Sequence, residues 1–432
     1  MKHKRKVEIL IYKKRLKRFI FSKRKREKKR KKNRKIQGTD LSIFLNMHNF
    51  GKKINVHNNR RNRIIIPKNF SFIENPDETI DTLKKIHYLG DSKAEEIFFD
   101  HTKLQNLDIS ASTVMDTLIM DIIKKREKRK QNIGISGEYY SNDGKISAIL
   151  EVSGILKHLG FKNTEPKNIE KLELIESQSS DDVSTEVVEY IDRCLKRQKL
   201  ELTKRGRRYF SILVGEIIDN CELHGGEFSK WYTLGHYFNQ EEYGECQLVI
   251  FNYGNTIYES LKRKDTTKEA KESLENMSNI HKLDYKNLFW NEESMWTLYA
   301  LQDGVSRKRD KKHPDRGTGT VRFINSFQNI GCTVGGNYPK MSIISGNTCI
   351  LFNNKYKLED VDFGGKSRKI IAFNKENNLY KPPDRENVRI LKNYFPGTVI
   401  SMNFYIDEKY IEKIIKDDEN ERDKFKTMCK EW

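Results

Sequence analysis

The spacing of apolar residues changes several times along the chain, and each change predicts a structural element. Short runs of β-branched and aromatic residues predict strands at 63–73, 95–104 and 131–140. Apolar residues three and four positions apart predict helices at 78–89, 110–130 and 145–161. Strands that alternate with helices need crossover connections, so we expect residues 60–165 to form a domain with a mainly parallel sheet.

The second half of the chain shows a different order of elements. A polar segment at 162–180 is expected to be a linker, and residues 180–406 are expected to form a second domain. Its predicted helices are 182–198, 203–223 and one within 317–329, and its predicted strands are 246–254, 341–347, 348–354 and 398–406. A long polar insertion lies at 258–316, and residues 407–432 are predicted to form a C-terminal helix.

The positive charge of the chain is concentrated at its beginning. The formal net charge is +21, but residues 1–35 hold 20 of the 82 Lys and Arg residues and only 2 of the 61 acidic ones. Dense like charge disfavours a packed core, so we expect residues 1–36 to form a basic arm that is disordered or folds on a partner. A nucleic acid, an anionic lipid surface and a purely solubilising role remain open for this arm.

Neither the cysteines nor the apolar runs indicate an extracellular or membrane protein. The six cysteines form no C-x-x-C pair and no zinc-like spacing with histidine, which is typical of reduced thiols. The longest apolar run near the start, residues 9–12, is too short for a signal peptide or a membrane span. We therefore expect a cytoplasmic protein without a transmembrane segment.

One predicted helix carries a candidate site. In the stretch GEIIDNCELHGG, Glu216, Asn220 and His224 are four positions apart and share one edge of the helix. The adjacent face is an apolar stripe of Phe210, Leu213, Val214, Ile217 and Cys221. That stripe would pack on a sheet, so the polar edge lines either a site or a solvated rim.

Three motifs in the same order resemble those of one ATPase superfamily. The segment NCELHGGE resembles the asparagine box of the GHKL ATPases, and especially that of the anti-sigma-factor serine kinases. GTGTV at 317–321 is similar to the superfamily's glycine box, and PGTVISMNF at 396–404 is similar to its late Gly-Thr and strand. The resemblance implies a Bergerat-type α/β sandwich over 180–406, a nucleotide lid at about 258–316, and ATP and Mg²⁺ as cofactors.

The same resemblance assigns roles to single residues. It implies that Glu216 is the general base and that the side-chain oxygen of Asn220 binds magnesium. The ATP-binding residues that it implies are Asn220, His224, Asn252, Gly254, Gly317, Thr318, Gly319, Thr320 and Thr398. At the end of the lid, Arg307, Lys308 and Arg316 are alternative candidates to contact the terminal phosphate. These residue types suit the roles, because Mg²⁺ needs few protein oxygens beside phosphates and glycines let backbone N–H groups approach phosphate oxygens.

One position departs from the superfamily pattern. The superfamily usually has Asp-x-Gly-x-Gly after the strand, and the aspartate accepts a hydrogen bond from the adenine amino group. Here Asn252 stands at the aspartate position, Gly254 is retained and Thr256 replaces the second glycine. An asparagine can accept from an exocyclic amine and donate to a ring nitrogen. Adenine therefore stays the expected base, while selectivity against guanine is open.

The order of elements over 63–161 resembles a STAS domain, the fold of anti-sigma-factor antagonists. In that family a serine that follows an aspartate at the start of a helix is phosphorylated by a partner kinase. Ser110 lies near that position, but Ile109 separates it from Asp108. Ser110 is therefore a candidate phosphorylation site, and it is equally suited to cap the following helix.

Two classes of function are compatible with these features. The first is a Mg-ATP-dependent switch whose lid closure is read by the STAS-like domain or by a protein partner, with a serine/threonine protein kinase as a narrower version. The second is a nucleic-acid-binding or ribonucleoprotein-associated subunit that uses residues 1–35. A homodimer is compatible with both.

Overall fold

The computed structural model describes residue 45 and the ranges 60–140, 144–161, 169–176, 180–224, 230–240, 242–286, 289–303, 305, 319–329, 332–362 and 367–412. These residues form a mixed α/β structure with parallel and antiparallel sheets. The expectation of a mixed α/β fold is therefore confirmed at that level. The basic arm at 1–36 and residues 413–432 of the predicted C-terminal helix lie outside the described residues.

The elements are numbered here in chain order. The described strands are β1 (Arg61–Ile65), β2 (Asn69–Phe70), β3 (Glu96–Asp100), β4 (Asn106–Leu107), β5 (Gly134–Glu138), β6 (Ile169–Glu176), β7 (Lys230–Asn239), β8 (Gly244–Tyr253), β9 (Lys340–Phe352), β10 (Glu359–Asp362), β11 (Ser367–Ile370) and β12 (Val388–Ile406). The described helices are α1 (Pro76–Leu89), α2 (Ile109–Lys128), α3 (Gly144–Val152), α4 (Ile155–His158), α5 (Ser180–Arg197), α6 (Lys204–His224), α7 (Ile257–Leu261), α8 (Lys268–Ile280), α9 (Lys282–Lys286), α10 (Glu292–Ala300) and α11 (Gly319–Asn329).

Residues 60–161 form a unit that we call the α/β layer. Its strands β1, β3 and β5 are parallel, and their order in the sheet is their order in the chain. The helices α1 and α2 connect these strands, as the sequence predicts. The apolar spacing predicted for α2 is confirmed, because Val114, Leu118 and Ile122 are all buried.

The second unit is built on a five-stranded sheet with the order β6-β7-β8-β12-β9, in which all neighbours are antiparallel. Its central strand β8 is buried along its whole length. Alternate β8 residues point to opposite faces of a sheet. Val249 and Phe251 therefore pack on the α/β layer, whereas Leu248 and Ile250 pack on a second layer formed by α5, α6, α10 and α11.

The α/β layer and the sheet share one hydrophobic core, and polar contacts join them as well. The Ser110 hydroxyl donates to Ser401 Oγ at 2.6 Å, and Lys145 Nζ donates to Glu245 Oε1 at 2.8 Å. A buried polar group is costly unless it is paired, so these contacts fix which part of the layer meets which strand. The two predicted domains are therefore packed against each other over a whole face of the sheet.

Three strands of this sheet, β6, β7 and β9, differ from the sequence prediction. The expectation of a linker over 162–180 is wrong for residues 169–176, which form the edge strand β6 and bury Leu172 and Ile175. Strand β7 was not predicted at all. The strands predicted at 341–347 and 348–354 are one strand, β9, which continues through Gly346 at a φ of +61°.

The described part of the predicted lid is helical, and its last helix packs against the five-stranded sheet. The residues from α7 to α10 include Met295 and Leu298, which lie in the core beneath the sheet. Trp290 Nε1 also donates to the backbone oxygen of Val388 at 3.0 Å. The expectation for 258–316 was a long polar insertion, whereas apolar residues at helical spacing attach its described part to the rest of the molecule. Residues 287, 288, 304 and 306–316 of that insertion lie outside the described part.

Candidate functional site

Helix α6 presents its polar edge away from the sheet. Val214, Ile217 and Ile218 are buried against the sheet with the rest of the helical layer. Glu216 is exposed and Asn220 is half-buried, so both lie at the border of that packed face. An amphipathic helix oriented by its apolar stripe therefore holds this carboxylate and this amide in fixed positions one turn apart.

The first residue of α11 lies directly against Glu216. A Cβ atom built on Gly319 would overlap Oε2 of Glu216, so the carboxylate occupies the space that a larger residue would fill. The helix α11 begins at this glycine, and its N-terminal N–H groups and dipole favour a negative charge there. The site thus joins an ionisable carboxylate to a helix start that accommodates anions.

Asn220 lies next to the following residue of α11. Its Nδ2 donates to Thr320 Oγ1 over a long distance of 3.4 Å. The side-chain amide of Asn220 therefore meets the first turn of α11. The four predicted residues Glu216, Asn220, Gly319 and Thr320 are therefore brought together, although about a hundred positions separate the two pairs in the chain.

A second group of predicted residues lies at the same end of the sheet. Helix α6 ends at His224, and β7 begins at Lys230, which pairs with Tyr253 at the end of β8. Six residue steps span at most about 20 Å, so α6 ends on the side of the sheet where β8 also ends. The OH of Tyr253 lies 3.1 Å from Thr117 Oγ1 of α2, so the α/β layer reaches this end of the sheet too.

Asn252 and Thr398 face each other across β8 and β12. The backbone N–H of Thr398 donates to Asn252 Oδ1 at 3.1 Å, and the Thr398 hydroxyl is 2.9 Å from Ser345 Oγ of β9. Ser345 Oγ also accepts from the backbone N–H of Ile257 at 2.8 Å. Hydrogen bonds thus tie together the ends of β8, β12 and β9 and the start of α7.

Two glycines let these strand ends approach closely. Gly397 has a φ of +142°, and a Cβ atom built on it would overlap the carbonyl oxygen of Asn252. Gly254 follows β8, and its N–H donates to the backbone oxygen of Pro396 at 3.1 Å. Gly397 therefore tolerates no side chain in this conformation, for reasons of both space and backbone conformation.

Thr256, which stands where the superfamily has a second glycine, caps a helix. Its side chain accepts from the N–H of Glu259, and the Glu259 carboxylate accepts from the N–H of Thr256. This capping box starts α7 immediately after the Asn252 turn. The departure from the superfamily pattern is thus coupled to a local fold in which a helix, rather than a glycine turn, follows β8.

Ser345 and Glu293 also hold together the strand ends around Asn252, and neither was predicted from the sequence. Glu293 Oε1 accepts from the backbone N–H of Asn347 at 2.9 Å, and burial raises the pKa of its carboxyl group. The signal for Ser345 was weak because a serine inside an apolar run, MSIISGN, is usually an ordinary strand residue. No sequence pattern links Glu293 to a strand 54 positions later.

Ser110 lies away from this site and is buried. Its exposed fraction is 0%, and its hydroxyl is committed to Ser401. Asp108, not Ser110, caps α2: its side chain accepts from the N–H of Ala111. A kinase could not reach the Ser110 hydroxyl in this structure, because the α/β layer and the sheet enclose it.

Several predicted residues cannot be placed. Arg316, Gly317 and Thr318 lie outside the described residues, as does the side chain of His224. Within the described ranges no group of three or more His, Cys, Asp or Glu residues could hold a metal ion. In the same ranges no helix has the length and apolar character needed to cross a membrane. The cysteines found there as free thiols are Cys194, Cys246, Cys332 and Cys349, all buried.

Comparison of the chain with protein-family models, with curated protein sequences and with solved structures found no match.

Proposed function

We propose that the chain binds a magnesium–nucleoside triphosphate complex, expected to be Mg-ATP, and hydrolyses it as a GHKL-type switch. The observation that carries the proposal is the contact between Glu216 of α6 and Gly319 at the start of α11. A carboxylate one turn from an amide oxygen, both beside a helix start, is an arrangement that suits a metal-bound polyphosphate.

Each residue of this group has a role that follows from its position. The Oδ1 atom of Asn220 would bind the cation, which needs only one or two protein oxygens beside phosphate and water. The Thr320 hydroxyl and the first N–H groups of α11 would donate to phosphate oxygens. Glu216 would accept the proton of the attacking water. The bound ion supplies charge neutralisation at the phosphates.

The α/β layer is suited to report the nucleotide state. It contacts Tyr253, the residue next to Asn252, through Thr117 of α2. A ligand that shifts the end of β8 would therefore shift a contact with α2. A protein partner that binds the α/β layer could read this shift, which is the sense in which we call the molecule a switch.

Calorimetric binding and phosphate release, each measured on the full chain with Mg-ATP, test the proposal. Glu216→Ala should keep nucleotide binding and lower turnover by roughly 10²–10⁴-fold, the usual contribution of a general base. Asn220→Ala should lose the magnesium dependence of binding. Glu201→Ala, at an exposed residue before α6, is the matched control and should match the wild type.

Three outcomes of these binding and turnover measurements would have different meanings. Equal turnover in the wild type and in Glu216→Ala would remove Glu216 as the base but leave nucleotide binding intact. Failure of the wild type to bind any nucleoside triphosphate with magnesium would refute the proposed function as a whole. Transfer of labelled phosphate to a partner protein would identify the narrower kinase activity.

A second candidate function is nucleic-acid binding, and the basic end of α2 favours it. Lys124, Lys128, Arg129 and Lys130 are exposed there, beside the amino ends of the parallel strands. Strand β1, which follows the basic N-terminal segment, begins at the same end of the sheet, since Arg61 pairs with Glu96. The exposed end of α2 would bind phosphates, and the basic arm would add positive charge to that binding.

Anisotropy titrations of the full chain with labelled duplex RNA test this candidate. The double substitution Lys124→Glu, Lys130→Glu should weaken binding by about tenfold or more at moderate salt, because each lost phosphate contact reduces counterion release. Lys268→Glu with Lys282→Glu, at exposed positions of α8 and α9, is the control and should have little effect. Binding to anionic vesicles but not to RNA would refute the candidate.

A further inference from the structure

Asn252 has a fixed orientation that its sequence position does not reveal. Its Oδ1 atom accepts the backbone N–H of Thr398 at 3.1 Å, and a backbone N–H can only donate. The oxygen of the amide must therefore face β12. This differs from Asn220, whose partner is the Thr320 hydroxyl, because a hydroxyl can either donate or accept and leaves the amide free to turn.

The outward atom of Asn252 is consequently Nδ2, which is a donor only. Within the described residues the contact with Thr398 is the only side-chain hydrogen bond of Asn252. The residue is 2% exposed, so a ligand can touch only a small edge of it. An aspartate in the same position would keep one oxygen on Thr398 and present the other as an acceptor. Asparagine and aspartate thus present opposite hydrogen-bonding groups.

We propose that Asn252 makes this site select purines that carry a hydrogen-bond acceptor at C6, the 6-oxopurines guanine and hypoxanthine, over adenine. The inference rests on the proposed function and replaces adenine with a 6-oxopurine as its base. The C6 oxygen of a 6-oxopurine accepts from Nδ2. The C6 amino group of adenine places a donor against a donor, and one of the two loses its partner on binding.

The expected size of this preference follows from one hydrogen bond. A buried donor left without a partner costs enough to change affinity by about tenfold or more. Asn252→Asp should reverse the preference by a similar factor, because its second oxygen accepts from the adenine amino group. The variant keeps an acceptor for the Thr398 N–H but buries a carboxylate, so it should keep the fold and melt at a lower temperature than the wild type.

Calorimetric titration of the full chain with ATP, GTP and ITP, each with magnesium, tests the inference. The wild type should bind ITP and GTP about tenfold more tightly than ATP, and Asn252→Asp should bind ATP more tightly than either. ITP is essential to the design, since it has the C6 oxygen of GTP without its 2-amino group. Equal affinities for ITP and GTP would show that the preference over ATP comes from the group at C6 and not from the 2-amino group.

The possible failures are distinct. Binding of ATP as tightly as ITP by the wild type would overturn the inference and leave the proposed function standing. A preference for ITP that survives in Asn252→Asp would show that another group reads the base, and it would equally overturn the role of Asn252. Absence of binding by all three nucleotides would overturn the proposed function as well.

Discussion

The two faces of the five-stranded sheet are covered in different ways. On one face the α/β layer buries polar groups together with apolar ones, and a typical example is Asp108, which is 6% exposed and accepts hydrogen bonds from Ser71 and from the backbone. On the other face the helical layer also buries polar groups, such as Asp192 of α5, but it leaves Glu216 exposed at its edge. A carboxylate buried together with its hydrogen-bond donors stabilises the fold, whereas an exposed carboxylate beside a helix start can take part in chemistry.

Asp108→Ala should have the largest effect on stability. The carboxylate accepts from Ser71 Oγ and from the backbone N–H groups of Phe72 and Ala111, each at 2.7 Å. Its removal leaves buried donors without partners and removes the N-cap of α2, so the free energy of unfolding in urea should fall by roughly 3 kcal/mol. Asp182→Ala, at an exposed position of α5, should cost less than about 1 kcal/mol. An equal loss of stability in both variants would show that the buried carboxylate of Asp108 stabilises the fold no more than an exposed one does.

Asp100 should make the free energy of unfolding depend on pH, and this effect should be smaller than that of Asp108→Ala. Burial opposes ionisation of this carboxyl, but hydrogen bonds from Thr102 and Arg63 outweigh it and lower its pKa to about 2. The folded pKa lies below the unfolded value near 3.9, so the stabilisation is present above about pH 4 and is lost as the pH falls through 2. It amounts to roughly 2 kcal/mol.

Urea unfolding of the wild type and of Asp100→Asn between pH 2 and pH 5 measures this effect. The wild type should lose more stability than the variant as the pH falls. Identical slopes for the two proteins would show that the ion pair with Arg63 contributes nothing.

Gly319→Ala should have the smallest effect on stability and a large effect on function. The added methyl group meets the end of the flexible Glu216 side chain, which can move away, so unfolding should change by less than about 1 kcal/mol. The displaced carboxylate should lower phosphate release by at least about tenfold. Gly215→Ala in α6 is the matched control, because a Cβ there meets no atom within 4 Å and should slightly stabilise the helix. Unchanged turnover in Gly319→Ala would argue against a site at this contact.

The helices and the central strand were predictable because their apolar spacing is regular. The sequence predicted α2, α5, α6 and β8 to within a few residues, since each has a clear buried face. The sequence predicts a linker at the edge strand β6 because an edge strand carries many charged residues, as in IEKLELIE. Its alternation of Leu172 with polar neighbours was the available signal.

The candidate site was predictable only in part. The four-residue spacing on α6 and the glycine motif predicted that these two segments share a site, but not that Glu216 lies directly against Gly319. The hydrogen bond from Thr398 to Asn252 was not predictable, because it depends on the register of β8 and β12, which lie about 150 positions apart. The register is set by long-range packing rather than by a local pattern.

Strand β12 lies between β8 and β9, although it follows both of them in the chain. A growing polypeptide that has left the ribosome only as far as residue 387 therefore holds two strands with unsatisfied backbone edges, and the surface of α2 that meets Ser401 is bare. Premature termination before Val388 should yield an aggregation-prone fragment rather than a smaller folded protein. The nascent chain would depend on chaperones until its last strand arrives.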